Sequence, residues 1–274
     1  MPHAKAHWYL LALFPVAALA FWPGYLSQLG TAPTEFHAHG VTASLWLILL
    51  IAQSWSIQSL RRPLHRTLGL VSLALFPLFL VGGVGIFVGM AQRFVEGSPF
   101  QAMYAARLSL VDAVAVAGFA WLYFEGLRHR RNVQLHARYL LATVIFLLPP
   151  ILARAVPIFP PLWIAGPADF WKLEIAFHIG NFAAAILAFA LSYSSGKYGR
   201  PWAIAGGLTL LAGLLYQTLG QMPAWHGFYA NFAYLPRTPL ALVTLLGGGL
   251  IAFAGWRSGR GTPRHASTLD RLVA

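Results

Sequence analysis

The sequence predicts an all-α, polytopic transmembrane helical bundle of about eight spans. Apolar residues make up 58% of the 274 residues and charged residues only 9%, which excludes an ordinary soluble domain. The few charged residues gather at the ends of long apolar runs, as they do in chains that cross a bilayer repeatedly. The lipid bilayer is therefore the first partner that the sequence predicts.

Apolar runs and turn residues give the order of the spans. We expect the spans near residues 8–28, 40–60, 67–90, 104–127, 138–157, 170–193, 201–220 and 239–256. The run that follows Lys5 could pass for a signal peptide, and we interpret it as a retained first span. The chain, 1–274, is expected to form a single integral membrane domain. Residues 36–193 are its central bundle, and 1–35 and 194–274 form peripheral spans.

The distribution of Lys and Arg predicts the orientation. With a cytoplasmic N-terminus, 14 of the 19 basic residues fall inside and five fall outside, namely Arg93, Arg107, Arg154, Lys172 and Arg237. Because cytoplasmic loops retain basic residues, both termini are expected to be cytoplasmic. We attribute the net charge of +12 to this asymmetry and to attraction by anionic lipid headgroups, and we expect no nucleic-acid partner.

The absence of cysteine restricts the cofactors. Without thiolates the chain cannot hold an iron–sulfur cluster or covalently attached haem. The motifs of membrane desaturases, zinc proteases, serine hydrolases and phosphate-binding loops are also missing, so no residue is assigned a catalytic role. A bound cofactor would have to be held by histidine, carboxylate or packing.

A short internal repeat links two parts of the chain. A Leu-His-Arg segment opens the third span at His65, and Leu-His-Ala-Arg opens the fifth at His136. At the same offset of 71 residues, Ser72 aligns with Thr143. The repeat predicts two parallel helical hairpins, spans 2–3 and 4–5. The two histidines are interpreted as helix-start residues bonded to nearby backbone, as a pair of haem ligands, or as a site for an anionic headgroup.

A second group of polar residues lies inside the apolar runs, toward the predicted outer ends of spans 2, 4, 5 and 6. This outer cluster consists of His39, Trp46, Arg107, Asp112, Arg154, Glu174, His178 and Asn181. Ionisable groups inside a membrane are costly unless they are paired or functional. The spacing of Glu174, His178 and Asn181 places them on one helix face, so Glu174 is expected to accept a hydrogen bond from His178. Asp112 is expected to pair with Arg154 or a histidine.

Four interpretations of the outer cluster remain open. His39 and His178 could clamp a b-type haem, with an arginine on the propionates and Trp46 on the macrocycle. The cluster could instead be a pocket for a quinone or another amphiphile, with histidine and aspartate exchanging protons. Its histidines and carboxylates could bind a divalent metal, with His39 and His178 as the first candidates. It could also be a ligand-free polar network that fixes helix register.

Two short segments resemble a family of bacterial multi-pass membrane proteins that has no assigned activity. They are Phe-His-Ala-His-Gly at residues 36–40 and Leu-His-Arg-Thr-Leu-Gly at residues 64–69, with Trp46 and Gln53 between them. The resemblance implies a multi-pass protein of the bacterial inner (cytoplasmic) membrane. More distantly, the repeated histidine-bearing hairpins look like b-type membrane cytochromes, which implies haem and electron transport.

Three functional hypotheses follow. The first is a redox-associated membrane protein that binds haem or quinone near the outer leaflet, beside His39 and His178. The alternative is a non-catalytic accessory subunit of an energy-transducing membrane complex, which would contact other membrane subunits. The third is a small-molecule transporter, suggested by the prolines within spans 3 and 5.

Overall fold

A computed structural model describes residues 2–259 and shows an all-α bundle. Its α-helices are α1 (Ala6–Phe21), α2 (Thr34–Gln58), α3 (Arg62–Val95), α4 (Pro99–Arg128), α5 (Val133–Ala142), α6 (Leu148–Ala155), α7 (Trp171–Ser194), α8 (Arg200–Gln217), α9 (Pro223–Ala230) and α10 (Arg237–Ser258). No strand occurs in this part of the chain. The predicted fold class is confirmed.

Seven of the predicted spans are helices long and apolar enough to cross a membrane, when α5 and α6 are counted as one crossing, Val133–Ile158. The first span is shorter, because α1 has 16 residues and measures about 24 Å at 1.5 Å per residue. It still runs the length of the bundle. His7 bonds Ser54 at one end (3.4 Å), and Tyr25, just beyond α1, bonds His37 at the other (2.9 Å). The chain is thus a multi-pass membrane protein.

The bundle has two chemically different ends. At the basic end α2 joins α3, α4 joins α5 and α7 joins α8, and the predicted cytoplasmic arginines within residues 2–259 lie here. Arg260, Arg264 and Arg271, also predicted to be cytoplasmic, lie outside the described residues. At the opposite end α3 joins α4, α6 joins α7, and α9 leads into α10.

Gly97 has a φ of +75° in the turn between α3 and α4, a conformation that glycine adopts without a steric penalty.

The fifth crossing is broken in its middle. Five residues, Thr143–Leu147, form a 3-10 helix between α5 and α6. Two consecutive prolines, Pro149 and Pro150, follow it, and neither has an N–H to donate to the preceding turn. In contrast, α3 continues as one helix through the single proline Pro77.

The predicted repeat is visible in reciprocal contacts between the hairpins. In one direction, the Trp46 ring nitrogen on α2 donates to the Thr143 hydroxyl, at 3.1 Å. In the other, Ser72 on α3 shares a hydrogen bond of 2.9 Å with Tyr123 on α4. The two hydroxyl residues, Ser72 and Thr143, are aligned in the repeat, and each bonds an aromatic residue of the other hairpin.

The centre of the bundle is an aromatic core. Trp46, Phe76, Phe79, Phe119 and Tyr123 are buried and stack against one another, with ring centroids as close as 4.2 Å for Phe76 and Tyr123. Helix α4 lies at the middle and packs against α3, α5, α8 and α10. Apolar contacts therefore connect the early, middle and late helices in one core.

Glycines on α3 bring α2 close on one side of this core. A Cβ atom at Gly82 would lie 3.0 Å from the His39 Cα, and one at Gly89 would lie 2.5 Å from a Glu35 carboxylate oxygen. Small residues allow such close approach of helices in lipid. The glycine face therefore fixes where His39 sits in the bundle.

Candidate functional site

The structure divides the outer cluster into two groups and two core residues. We call His39, Asp112 and Arg154 the Asp112 group. The Arg107 group consists of Arg107, Glu174 and His178, together with Gln217 and Tyr216 from α8. Trp46 and Asn181 lie in the packed interior.

The Asp112 group joins α2, α4 and α6. Arg154 lies close enough to interact electrostatically with both Asp112 and His39. Its guanidinium also donates to the Pro150 carbonyl oxygen at 3.0 Å and lies 4.8 Å from the Phe21 ring centroid. The expected pairing of Asp112 with Arg154 or a histidine is not found among residues 2–259, although Arg154 acts on Asp112 electrostatically.

Several polar atoms of this group lack a partner. The His39 Nδ1 atom is buried without a hydrogen bond. Within residues 2–259, the Asp112 carboxylate forms neither a hydrogen bond nor an ion pair shorter than 4 Å. Buried polar groups in folded proteins are almost always satisfied by protein, water or ligand. The Asp112 group therefore has the capacity to bind a polar atom that the chain does not provide.

Asp112 also lines a cavity that has a volume of about 470 Å³. This cavity lies between α3, α4 and α10 and is partly open to the surroundings. Its other lining residues are Leu80, Gly83, Val84, Phe87, Val88, Ala113, Val116, Ala117, Ala120, Phe232, Leu235, Leu240 and Ile251. Among the described residues that line the cavity, Asp112 is thus the single charged side chain, and the others are apolar.

Tyr229 on α9 lies next to this cavity, because it contacts the lining residue Phe87. Its hydroxyl donates to the Phe87 carbonyl oxygen at 3.2 Å. Burial, assisted by the nearby negative charge of Asp112, raises the pKa of Tyr229, so its hydroxyl stays protonated at neutral pH.

The Arg107 group contains a bidentate ion pair. Two guanidinium nitrogens of Arg107 donate to the two carboxylate oxygens of Glu174, at 3.1 and 2.7 Å. Gln217 bonds both partners, and the Tyr216 ring lies 4.0 Å from the guanidinium carbon. Bidentate pairs of this kind hold the two helices in a defined register.

The expected hydrogen bond from His178 to Glu174 is not formed, because Arg107 and Gln217 occupy the carboxylate. The His178 ring packs on the edge of Tyr216 instead, at 5.7 Å between centroids. Its Nε2 atom is buried and unpartnered. The sequence predicted a partner for Glu174 on its own helix, whereas the observed partner is Arg107 on α4.

Trp46 and Asn181 have structural partners. Trp46 is 1% exposed and is held by its bond to Thr143. Asn181 donates to the Thr209 carbonyl oxygen on α8 at 3.1 Å, opposite the small residue Gly213. Both side chains connect helices deep in the bundle.

His39 and His178 belong to separate groups. Their rings share no ring, hydrogen-bond or charge partner among the described residues. Residues 2–259 also contain no group of three His, Asp or Glu side chains that could hold a metal ion. Binding of a haem or a metal by these two histidines therefore stays a prediction.

The second pair of candidate histidines does come together. The rings of His65 and His136 lie 6.5 Å apart at the basic end, nearly perpendicular to each other. Each Nδ1 atom lies against a main-chain carbonyl oxygen, that of Gln53 at 3.4 Å and that of Gly126 at 2.7 Å. The repeat in the sequence thus corresponds to a contact in the fold.

Several polar and aromatic contacts at this end of the bundle were not predicted from the sequence. Glu35 binds Arg93 at 2.9 Å and lies 3.7 Å from Arg237, which closes the opposite end of the bundle. Gln217 stands out in the sequence as a polar residue at the end of an apolar helix, which is a usable signal. Nothing in the sequence marks Tyr216 as the ring beneath Arg107.

No family model matches the chain, and no curated protein or solved structure matches it significantly. The resemblance to a bacterial membrane family and to b-type cytochromes therefore stays a prediction.

Proposed function

We propose that this protein of the bacterial inner membrane binds a quinone or quinol in the cavity beside Asp112. The observation that carries the proposal is the single carboxylate in an apolar cavity of about 470 Å³. Pockets that bind small molecules are mostly apolar, measure about 300–1,000 Å³ and carry a few oriented polar groups. The cavity matches this description.

The chemistry of the Asp112 group suits a quinone head group. A carboxylate accepts a hydrogen bond from a quinol hydroxyl, and a carboxylic acid donates one to a quinone carbonyl. Arg154 adds a positive charge beside Asp112, and His39 adds an unpartnered ring nitrogen. Asp112 is the member of this group that lines the cavity, so it would orient the head group and exchange a proton with it, while Arg154 would stabilise its ionised form.

The same geometry favours quinone over haem. A haem held by two histidines would need both rings at one place, and no contact among residues 2–259 brings His39 and His178 together. A quinone needs only hydrogen-bonding groups at one end of an apolar cavity. The partial opening of the cavity gives a lipid-soluble molecule a route from the bilayer.

Binding of ubiquinone-1 to the purified full-length chain tests this proposal. Asp112→Asn is expected to weaken binding about ten-fold, because it removes the charge and keeps the shape. Ala117→Phe is expected to abolish saturable binding by filling the cavity. Isothermal titration calorimetry in detergent measures both effects.

Ala254→Phe is the matched control, since Ala254 lies on the exposed face of α10 outside the cavity lining. It should bind ubiquinone-1 like the parent protein. Equal affinity in the Ala117→Phe, Ala254→Phe and parent proteins would show that the quinone partitions into the micelle and not into this cavity.

A second candidate function is an accessory subunit of a membrane complex, which the exposed face of α10 favours. Only 17% of the apolar stretch of α10 is buried, compared with 28–44% for the other long spans. Gly247 and Gly249 have open space where a side chain would be. Small residues on an uncovered helix allow another helix to approach closely.

Native mass spectrometry of the protein extracted in mild detergent tests this candidate. A defined complex of constant stoichiometry is expected to be lost in Gly247→Leu/Gly249→Leu, while the variant keeps its thermal stability. A parent protein that is monomeric under all mild extraction conditions would contradict the accessory function.

A further inference from the structure

A second cavity, of about 270 Å³, lies at the basic end of the bundle. It is bordered by the N-terminal segment, α2, α3 and α5, and shares no lining residue with the cavity at Asp112. We call it the basic pocket. Six potentially cationic side chains line it, those of His3, Arg62, His65, Arg66, Arg130 and His136. The described residues that line it include no carboxylate.

Among residues 2–259, no acidic side chain pairs with the two exposed arginines of the basic pocket, Arg62 and Arg66. Glu125, at the end of α4, is engaged by Arg128 at 3.1 Å and by His129 at 3.3 Å. The side chains of Arg62 and Arg66 are exposed and have no ion-pair partner among residues 2–259. Gathered positive charges repel one another, and a bound anion removes this repulsion.

The paired histidines present their free ring nitrogens to a ligand. Because a carbonyl oxygen only accepts hydrogen bonds, the Nδ1 atoms of His65 and His136 carry the protons. The Nε2 atoms are left to interact with other groups, and they become donors when the rings are protonated. Two such donors at neighbouring positions suit an anion with several oxygen atoms.

We propose that the basic pocket is a phosphate-binding site. In it, Arg62 and Arg66 form charge-assisted hydrogen bonds with the phosphate oxygens, and the negative charge of the phosphate favours protonation of the His65 and His136 rings, whose Nε2 atoms then donate to it. The phosphate belongs either to an anionic lipid headgroup or to a free phosphate ion. This site is independent of quinone binding at Asp112.

Lipid and phosphate binding to the full-length protein test the proposal. Native mass spectrometry measures phosphatidylglycerol binding, and equilibrium dialysis measures labelled inorganic phosphate. The variant Arg62→Gln/Arg66→Gln is expected to bind about ten-fold more weakly. Lys197→Gln/Arg200→Gln is the matched control, because it removes the same charge at the same end but outside the pocket. It should remain within about two-fold of the parent protein.

His65→Gln/His136→Gln provides a second readout that leaves the arginines in place. It is also expected to weaken binding about ten-fold. Equal losses in the pocket and control variants would show general attraction to a basic surface and would overturn the proposal. Unchanged binding in both pocket variants, or no binding of either ligand to the parent protein, would overturn it as well.

The two ligands identify the source of the phosphate. Pocket-dependent binding of phosphatidylglycerol alone supports a lipid headgroup site. If inorganic phosphate also binds and displaces the lipid, the phosphate group itself is recognised. Pocket-dependent binding of inorganic phosphate alone supports a site for the free ion.

Discussion

Replacement of Arg107 by methionine is expected to lower the free energy of unfolding by about 3 kcal/mol. The substitution removes both hydrogen bonds to Glu174 and the contact with the Tyr216 ring. It leaves the Glu174 carboxylate, whose side chain is 30% exposed, with Gln217 as its remaining donor. A partly buried charge without a counter-charge is unfavourable in apolar surroundings. Equilibrium unfolding in mixed micelles measures the change.

A double variant separates the ion pair from simple packing. Arg107→Met/Glu174→Leu leaves no unpaired charge, so it is expected to be more stable than Arg107→Met alone. Arg66→Met is the control, since Arg66 is exposed and its loss should change stability by less than about 0.5 kcal/mol. A loss in Arg107→Met no larger than in Arg66→Met would mean that the pair does not stabilise the bundle.

The positions of the crossings could be predicted because hydrophobic length is a local property. The predicted span 104–127 corresponds to Pro99–Arg128, and 239–256 corresponds to Arg237–Ser258. The helices extend beyond the apolar runs at both ends, since polar residues continue the backbone hydrogen bonding outside the hydrocarbon region. The first span was overestimated, because 8–28 includes the turn that follows Phe21.

The repeat in the sequence also predicted one contact between residues that are 71 positions apart in the chain, His65 and His136. Equivalent positions in two parallel hairpins occupy equivalent places, which brings His65 and His136 to the same end. The contact at 6.5 Å agrees with this reasoning. The same symmetry explains why Ser72 and Thr143 each receive an aromatic partner from the other hairpin.

The pairing within the outer cluster could not be predicted from helical spacing alone. Spacing gives the height of a residue and the face it occupies, but not which neighbouring helix lies on that face. Glu174 therefore bonds Arg107 on α4, although His178 lies one turn away on its own helix. His39 and His178 were both assigned to the outer halves of their helices, and in the structure they have different partners, Arg154 for His39 and Tyr216 for His178.

The two proposed sites differ in the chemistry that each end of the protein offers. The cavity beside Asp112 is apolar with one carboxylate, whereas the basic pocket is rich in cations. Helix α4 connects them, since it carries Asp112 and ends at Arg128, two residues before Arg130 in the lining of the basic pocket. Because their linings are distinct, substitutions in one site should leave ligand binding at the other unchanged.

Replacement of Gly248 by leucine is expected to destabilise the protein by about 2 kcal/mol, because α10 packs directly on the α3 backbone at this position. A Cβ atom at Gly248 would lie 2.9 Å from the Pro77 Cα and Cβ atoms. Backbone atoms cannot move aside as a flexible side chain does, so α10 must shift away from α3. Thermal unfolding in detergent should show a decrease in melting temperature of about 5 °C.

The neighbouring glycines of α10 provide controls of identical chemistry. Gly247→Leu and Gly249→Leu add the same side chain into open space, so their melting temperatures should match that of the parent protein. Because α10 also forms one wall of the cavity beside Asp112, Gly248→Leu should weaken ubiquinone-1 binding as well. Equal melting temperatures for all three variants would show that α10 does not depend on close packing against α3. Unchanged quinone binding in a destabilised Gly248→Leu protein would mean that the ligand does not occupy the space between these helices.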